Sequence, residues 1–297
     1  MSLCIQYDST FDGFLSVVFE VYRQRLAVAD IRPDRTDDLT TDLFMQSFWI
    51  ETNPESARRL KRAIVNASSQ DVLSLLMVAF RSEESGVEMR MLAYLRKLFS
   101  GIDPNYGKNP TSEEMLPLYQ IAQSVRREAG DMRGMVRFSK LEDGTYFSEI
   151  EPKYDIIPLM TSHFRSRFAN ERWAIYDSRR NYGAYYDGSC VMEVSVPDIR
   201  TVTAGLPPDE IAQMWKDFYR CISIKERENP KLLRRCLPVR YWKHLPEREV
   251  SSNSWLESGW LSPSDPHARN GNPVISLPSE IAKANSARVV QLQSTFR

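Results

Sequence analysis

Residues 135–151, MVRFSKLEDGTYFSEIE, decide how the chain divides. Met135 to Leu141 and Thr145 to Glu151 read as strands, and the Glu142-Asp143-Gly144 link between them carries the Asp-Gly pair that suits a tight hairpin turn. Before this stretch apolar residues recur at helical spacing. After it come short strands at Trp173–Tyr176, Ala184–Tyr186 and Val191–Val196, with one helix, Ile156–Phe168, ahead of them. The pattern predicts an α+β fold whose central antiparallel sheet is crossed on one face by a helix.

Working back toward the N-terminus, Leu3–Tyr7 reads as a short strand, and Ser9, Thr10 and Asp12 offer N-cap oxygens to a helix that starts near Phe11. Its apolar stripe is Phe11, Phe14, Leu15, Val18, Phe19, Tyr22 and Leu26. From Leu39 to about Ser100 the pattern stays helical, with breaks at Asn53-Pro54, Ser68-Ser69 and Glu84-Ser85-Gly86, which predicts an N-terminal helical bundle. Val72, Leu75, Leu76 and Ala79 form one of its stripes; Met91, Tyr94, Leu95 and Leu98 form another. Residues 101–110 concentrate turn formers, and Thr111 with Glu114 makes a capping box for a helix that Gly130 is expected to close.

Toward the C-terminus, Pro207-Pro208-Asp209 opens another helix, with Ile211, Met214, Trp215, Phe218 and Ile222 as its expected buried stripe. After Glu249 the chain turns rich in Ser, Asn, Gly and Pro and loses periodicity. The predicted divisions are a strand-and-helix subdomain over 1–100, an α+β subdomain with a basic C-terminal helical segment over 111–249, and a disordered tail over 250–297.

A chain of 297 residues, 42% apolar, is long enough to bury a full core without staples. Cys4, Cys190, Cys221 and Cys236 lie far apart, with no CxxC pair and no zinc-type Cys/His cluster, so neither a metal nor a cofactor is expected. The absence of a CxxxCxxC run excludes a radical-SAM cluster in this chain. No window has the length and apolarity of a membrane span and the N-terminus lacks a signal-peptide pattern, so the expected address is the cytoplasm. With 39 basic and 39 acidic residues, any polyanion site must come from local segregation of charge.

Such segregation occurs between Lys216 and Arg248, where ten cations face four acids. Lys225, Arg227, Arg234, Arg235, Arg240 and Lys243 are the candidate phosphate contacts, interleaved with Tyr241, Trp242 and His244. Cations that neutralise phosphates beside aromatic faces on which bases stack are what distorted or unpaired nucleic acid demands. The bland reading is a solvated face that Tyr241 and Trp242 anchor to the core. A second candidate is the connection Asp177 to Tyr182, where Arg179 and Arg180 could grip a phosphate, although Asp, Asn and Gly are also ordinary turn residues. A third is His163 with Arg167 on the predicted helix; together with Asp177 they are the catalytic candidates of an enzyme reading. No G-x-S-x-G elbow, P-loop, dinucleotide fingerprint or H-E-x-x-H motif is present.

These residues carry a resemblance. Tyr7-Asp8-Ser9-Thr10-Phe11-Asp12-Gly13-Phe14-Leu15, Arg133-Gly134-Met135-Val136-Arg137-Phe138, the block from Pro158 through His163-Phe164 and Arg167-Phe168 to Trp173-Ala174-Ile175-Tyr176-Asp177, and Tyr185-Tyr186-Asp187-Gly188 follow one another in order. Glu226-Arg227-Glu228-Asn229-Pro230-Lys231-Leu232 and Pro238-Val239-Arg240-Tyr241-Trp242-Lys243-His244-Leu245-Pro246-Glu247 complete the set, over residues 3 to 248. The chain resembles a bacterial domain-of-unknown-function family described as DNA-metabolism or DNA-repair proteins. Its members are encoded beside a DNA-repair radical-SAM protein, and some carry a fused uracil-DNA glycosylase-like domain. Cys236-Leu237 stands where the family pattern has His-Met, and the tail holds neither a Gly-Glu-x-Pro-Gly loop nor a His-Pro-Ser segment.

The resemblance implies a DNA-binding accessory that works with a separately encoded radical-SAM protein and with a uracil-DNA glycosylase as a further partner. Two alternatives stand beside it: a glycosylase- or nuclease-like enzyme with its site near His163 and Asp177, and a structural partner without DNA affinity.

Overall fold

The computed structural model describes residues 3–34, 46–101, 103, 106–109, 112–141, 143–195, 210–223 and 229–248. Two compact units divide after Arg127, inside a long helix.

Unit 1 is built on a parallel three-stranded sheet in the order β2-β1-β3, with β1 Leu3–Tyr7, β2 Val28–Pro33 and β3 Gln46–Trp49. The first helix, α1 (Phe11–Gln24), starts where expected, because the Thr10 side chain accepts the Gly13 N–H at 2.9 Å. The three helices α2 (Pro54–Ala67), α3 (Gln70–Phe80) and α4 (Val87–Phe99) are separated at the breaks that the sequence predicts, and α2 and α3 are capped by Asn53 and Ser69. Rings of Tyr7, Phe11, Phe14 and Phe80 pack together, and the Tyr7 hydroxyl donates to buried Glu88 at 2.9 Å. Met91, Tyr94, Leu95 and Leu98 are all buried, as their spacing predicts.

β1 stands where the sequence predicts a strand, and the sheet adds two strands to it that the sequence reading did not expect. β3 lies inside the stretch read as helical, and β2 went unread. Only Ile31 of β2 is buried, and the described residues of β3 are exposed, so neither carries the period-2 alternation that marks a strand. Backbone pairing to β1, such as Ile5 opposite Ile31 and Phe48, holds both.

Unit 2 holds the end of α5 (Met115–Met135) and a five-stranded sheet in sequence order, β4 (Ser139–Lys140), β5 (Tyr146–Ile150), β6 (Trp173–Asp177), β7 (Tyr182–Tyr186) and β8 (Val191–Ser195). The hairpin β4–β5 turns at the predicted Asp143-Gly144, with Gly144 at φ 82°, but its first strand is shorter than the expected Met135–Leu141, because Met135 still belongs to α5. The sheet is mixed rather than antiparallel. α6 (Ile157–Arg167) is the crossover between β5 and β6, and a crossover is the connection that parallel neighbours require. Gly130 does not end α5: the helix runs through Gly130 and Gly134 to Met135. Leu118, Ala122, Val125, Ala129, Met132 and Val136 keep the buried stripe going, and their burial outweighs the helix cost of about 1 kcal/mol per glycine.

The core of unit 2 is aromatic. Trp173 is fully buried, stacks on Tyr186 with ring centroids 5.5 Å apart, and meets Phe164, which packs on Phe138 and Phe168. Close strand packing explains Gly183: a Cβ there would lie 2.5 Å from the Ile175 carbonyl oxygen.

Three further helical pieces follow: α7 (Glu210–Ile222), α8 (Pro230–Cys236) and a 3-10 helix over Val239–His244. The predicted helix opening at Pro207-Pro208-Asp209, the cap residue Thr111 and the tail beyond residue 248 lie outside the described residues. The expected buried stripe of α7 is a second correction. No residue of α7 is buried, and Met214, Phe218 and Ile222 are 69%, 54% and 57% exposed. Amphipathic spacing shows that one face is apolar; it does not show that the same chain covers it.

Candidate nucleic-acid interface

Among the described residues of the basic segment, several of the predicted cations are consumed in unit 2. The organising group is Glu128, 7% exposed in the C-terminal half of α5. Its carboxylate accepts the backbone N–H groups of Lys153 and Tyr154 at 2.9 and 2.8 Å, the Arg240 guanidinium at 2.9 Å, and the Tyr241 hydroxyl. Tyr241 is 4% exposed, and burial first, then the hydrogen bond to Glu128, pushes its phenol well above the ordinary range. Arg240 and Tyr241 therefore tie the C-terminal segment down. Lys243 pairs with Glu151.

Trp242 is half-buried, donates Nε1–H to the Leu237 carbonyl at 3.0 Å, and lies under the Arg248 guanidinium. Burial, and next the Lys243 charge, hold His244 down to about 4, so its imidazole is neutral at pH 7.

The turn between β6 and β7 closes on itself in the same way. Asp177 is fully buried and accepts the backbone N–H groups of Arg179 and Arg180 at 2.9 and 3.2 Å and the Arg180 Nη1 at 2.7 Å. Burial raises its carboxyl, against the opposing pull of Arg180. Arg179 and Arg180 also donate to the Lys153 carbonyl, at 2.7 and 2.9 Å. Both guanidiniums thus supply donors to backbone carbonyls that the strand ends leave open.

His163 and Arg167 lie exposed on α6, and among the described residues no hydrogen bond or ion pair joins either to Asp177. His163 makes an edge-on contact with Phe164 at 5.1 Å.

α8 carries exposed cations as well. Asn229 caps it through the Leu232 N–H at 3.0 Å, and Lys231, Arg234 and Arg235 are exposed along it. Lys231 lies three and four residues before Arg234 and Arg235, so the three charges share one side of the helix. No acidic residue occurs between Asn229 and Pro246. Lys225 and Arg227 lie outside the described residues. Sequence reasoning missed Glu128: a lone acid on a helix carries no local sign that a segment 112 residues away will converge on it.

Among the described residues no cluster of His, Cys, Asp and Glu could hold a metal ion, and no helix is long and apolar enough to cross a membrane. Fold and site define an α+β protein with a mixed sheet, an internal charge network and a basic helix beside it. The chain belongs to the domain-of-unknown-function family DUF4130, whose model matches residues 85–247. That span takes in α4, the whole five-stranded sheet, Glu128 and α8. Neither the curated proteins nor the solved structures yielded a match.

Proposed function

We propose that this protein is a DNA-binding accessory of DNA repair or DNA metabolism, and that α8 is its phosphate-contacting element. One observation carries the reading: Lys231, Arg234 and Arg235 stand exposed on one side of α8 with no acidic residue between Asn229 and Pro246. Arg240, Lys243, Arg179 and Arg180 belong to the protein's own framework, which reduces the phosphate-binding set from the wider group that the sequence suggests. The resemblance supplies the biological setting, a separately encoded radical-SAM repair protein.

Fluorescence anisotropy with duplex oligonucleotides over a range of salt tests the reading. Three phosphate contacts give a log–log slope of about −2.7. Replacing Lys231, Arg234 and Arg235 together with Gln abolishes the slope. Binding that ignores salt, or no binding to any DNA, rejects the proposal.

A second reading, a structural partner without DNA affinity, is favoured by the Met214, Phe218 and Ile222 stripe of α7. Co-purification with the radical-SAM protein, lost in a Phe218→Ser variant and accompanied by no DNA affinity, would select it.

A further inference from the structure

The underside of α7 rests on two arginines. Trp215 lies over Arg137, with the guanidinium carbon 4.0 Å from the ring centroid. One turn along, Tyr219 receives a hydrogen bond from Arg248 Nη1 at 2.8 Å, and its ring lies 5.6 Å from that guanidinium. The Trp242 ring packs on Arg248 as well, at 4.6 Å.

The two guanidiniums differ in what fills their Nε–Nη2 edge, the side on which both N–H bonds point the same way and a carboxylate fits in the plane. On Arg137 that edge is occupied: Nε and Nη2 donate to Glu247 at 3.1 and 2.8 Å. On Arg248, only 3% exposed, Nε and Nη2 are both buried without an acceptor. His244, four residues earlier, likewise has a buried Nε2 without a partner. Glu247 pairs with Arg137, and among the described residues no ion pair serves Arg248. Arginine cannot shed its proton, so this excess positive charge cannot be relieved by titration.

We infer that the buried, unpaired Nε–Nη2 edge of Arg248 is a binding site for a small oxyanion, a phosphate or a carboxylate group, held by both N–H groups as Glu247 is held on Arg137. The site uses none of the α8 cations, so it stands or falls separately from DNA binding.

The test uses the full chain with 15N-labelled arginine. Nε–H resonances are followed by NMR during titration with inorganic phosphate, acetate or chloride at matched ionic strength, and the Arg248 signal is identified by its absence in Arg248→Lys. A saturable shift of that signal is expected with phosphate, acetate or both, and none with chloride. The more effective anion identifies the ligand as tetrahedral or planar. The effective anion, at about ten times its Kd, should raise Tm by roughly 3–5 °C in the native protein and not in Arg248→Lys. If Arg248→Lys does not fold, Tyr219→Phe identifies the same resonance by displacing it. An Arg248 signal indifferent to both oxyanions, or an equal Tm rise in Arg248→Lys, overturns the inference.

Discussion

The β6–β7 turn with its neighbour Glu128, and the α7–α8 segment, are made of the same kinds of residue and use them in opposite ways. Around Asp177 and Glu128, cations and tyrosine hydroxyls point inward to carboxylates and backbone carbonyls. Along α7 and α8, arginines and apolar side chains point outward, and no residue of either helix is buried. The difference lies in the acids. Asp177 and Glu128 are buried, and a carboxylate taken out of water must find donors in its own chain, whereas neither helix carries a buried group that needs one.

The comparison can be broken by substitution. The largest effect is expected at the aromatic centre of unit 2: Trp173→Ala should cost about 4 kcal/mol in denaturant unfolding, because the vacated site is lined by rings that cannot collapse into it. Glu128→Ala should follow at about 3–4 kcal/mol, since it strands two backbone N–H groups, a phenol and a guanidinium at once. Glu128→Gln, which can still accept hydrogen bonds, should lose less.

His244 provides a pH test. Its folded pKa of about 4 lies below the ordinary 6.5, so the unfolded chain takes up the proton first as pH falls. Stability from this group should be complete above pH 6.5 and fall by roughly 3 kcal/mol as pH drops toward 4. Urea unfolding of the native protein against His244→Phe isolates that loss. The smallest effect is expected on α7, where Phe218→Ser should change stability by less than about 0.5 kcal/mol. A loss there as large as that of Glu128→Ala would mean that α7 is covered in solution, and the contrast between the two regions would fail.

Much of the fold was legible in advance. The helix breaks at Asn53-Pro54, Ser68-Ser69 and Gly86 stand where caps and turn residues put them, and the Asp143-Gly144 hairpin follows from local backbone preference. Illegible were β2 and β3, which lack alternation, and the parallel pairing of β5 with β6, which is a matter of partner choice. At the site, the sequence marked the cations but not their fates. Arg235 and Arg240 look alike in the sequence and both are exposed, yet Arg240 is the one bonded to buried Glu128.

By itself, then, the sequence determined the helix breaks, the hairpin turn and the family resemblance, because caps and turns act over a few residues. Which arginines bond to the chain's own carboxylates and carbonyls was decided by tertiary structure. That choice depends on which carboxylates and carbonyls, distant along the chain, arrive within hydrogen-bond reach once water is excluded.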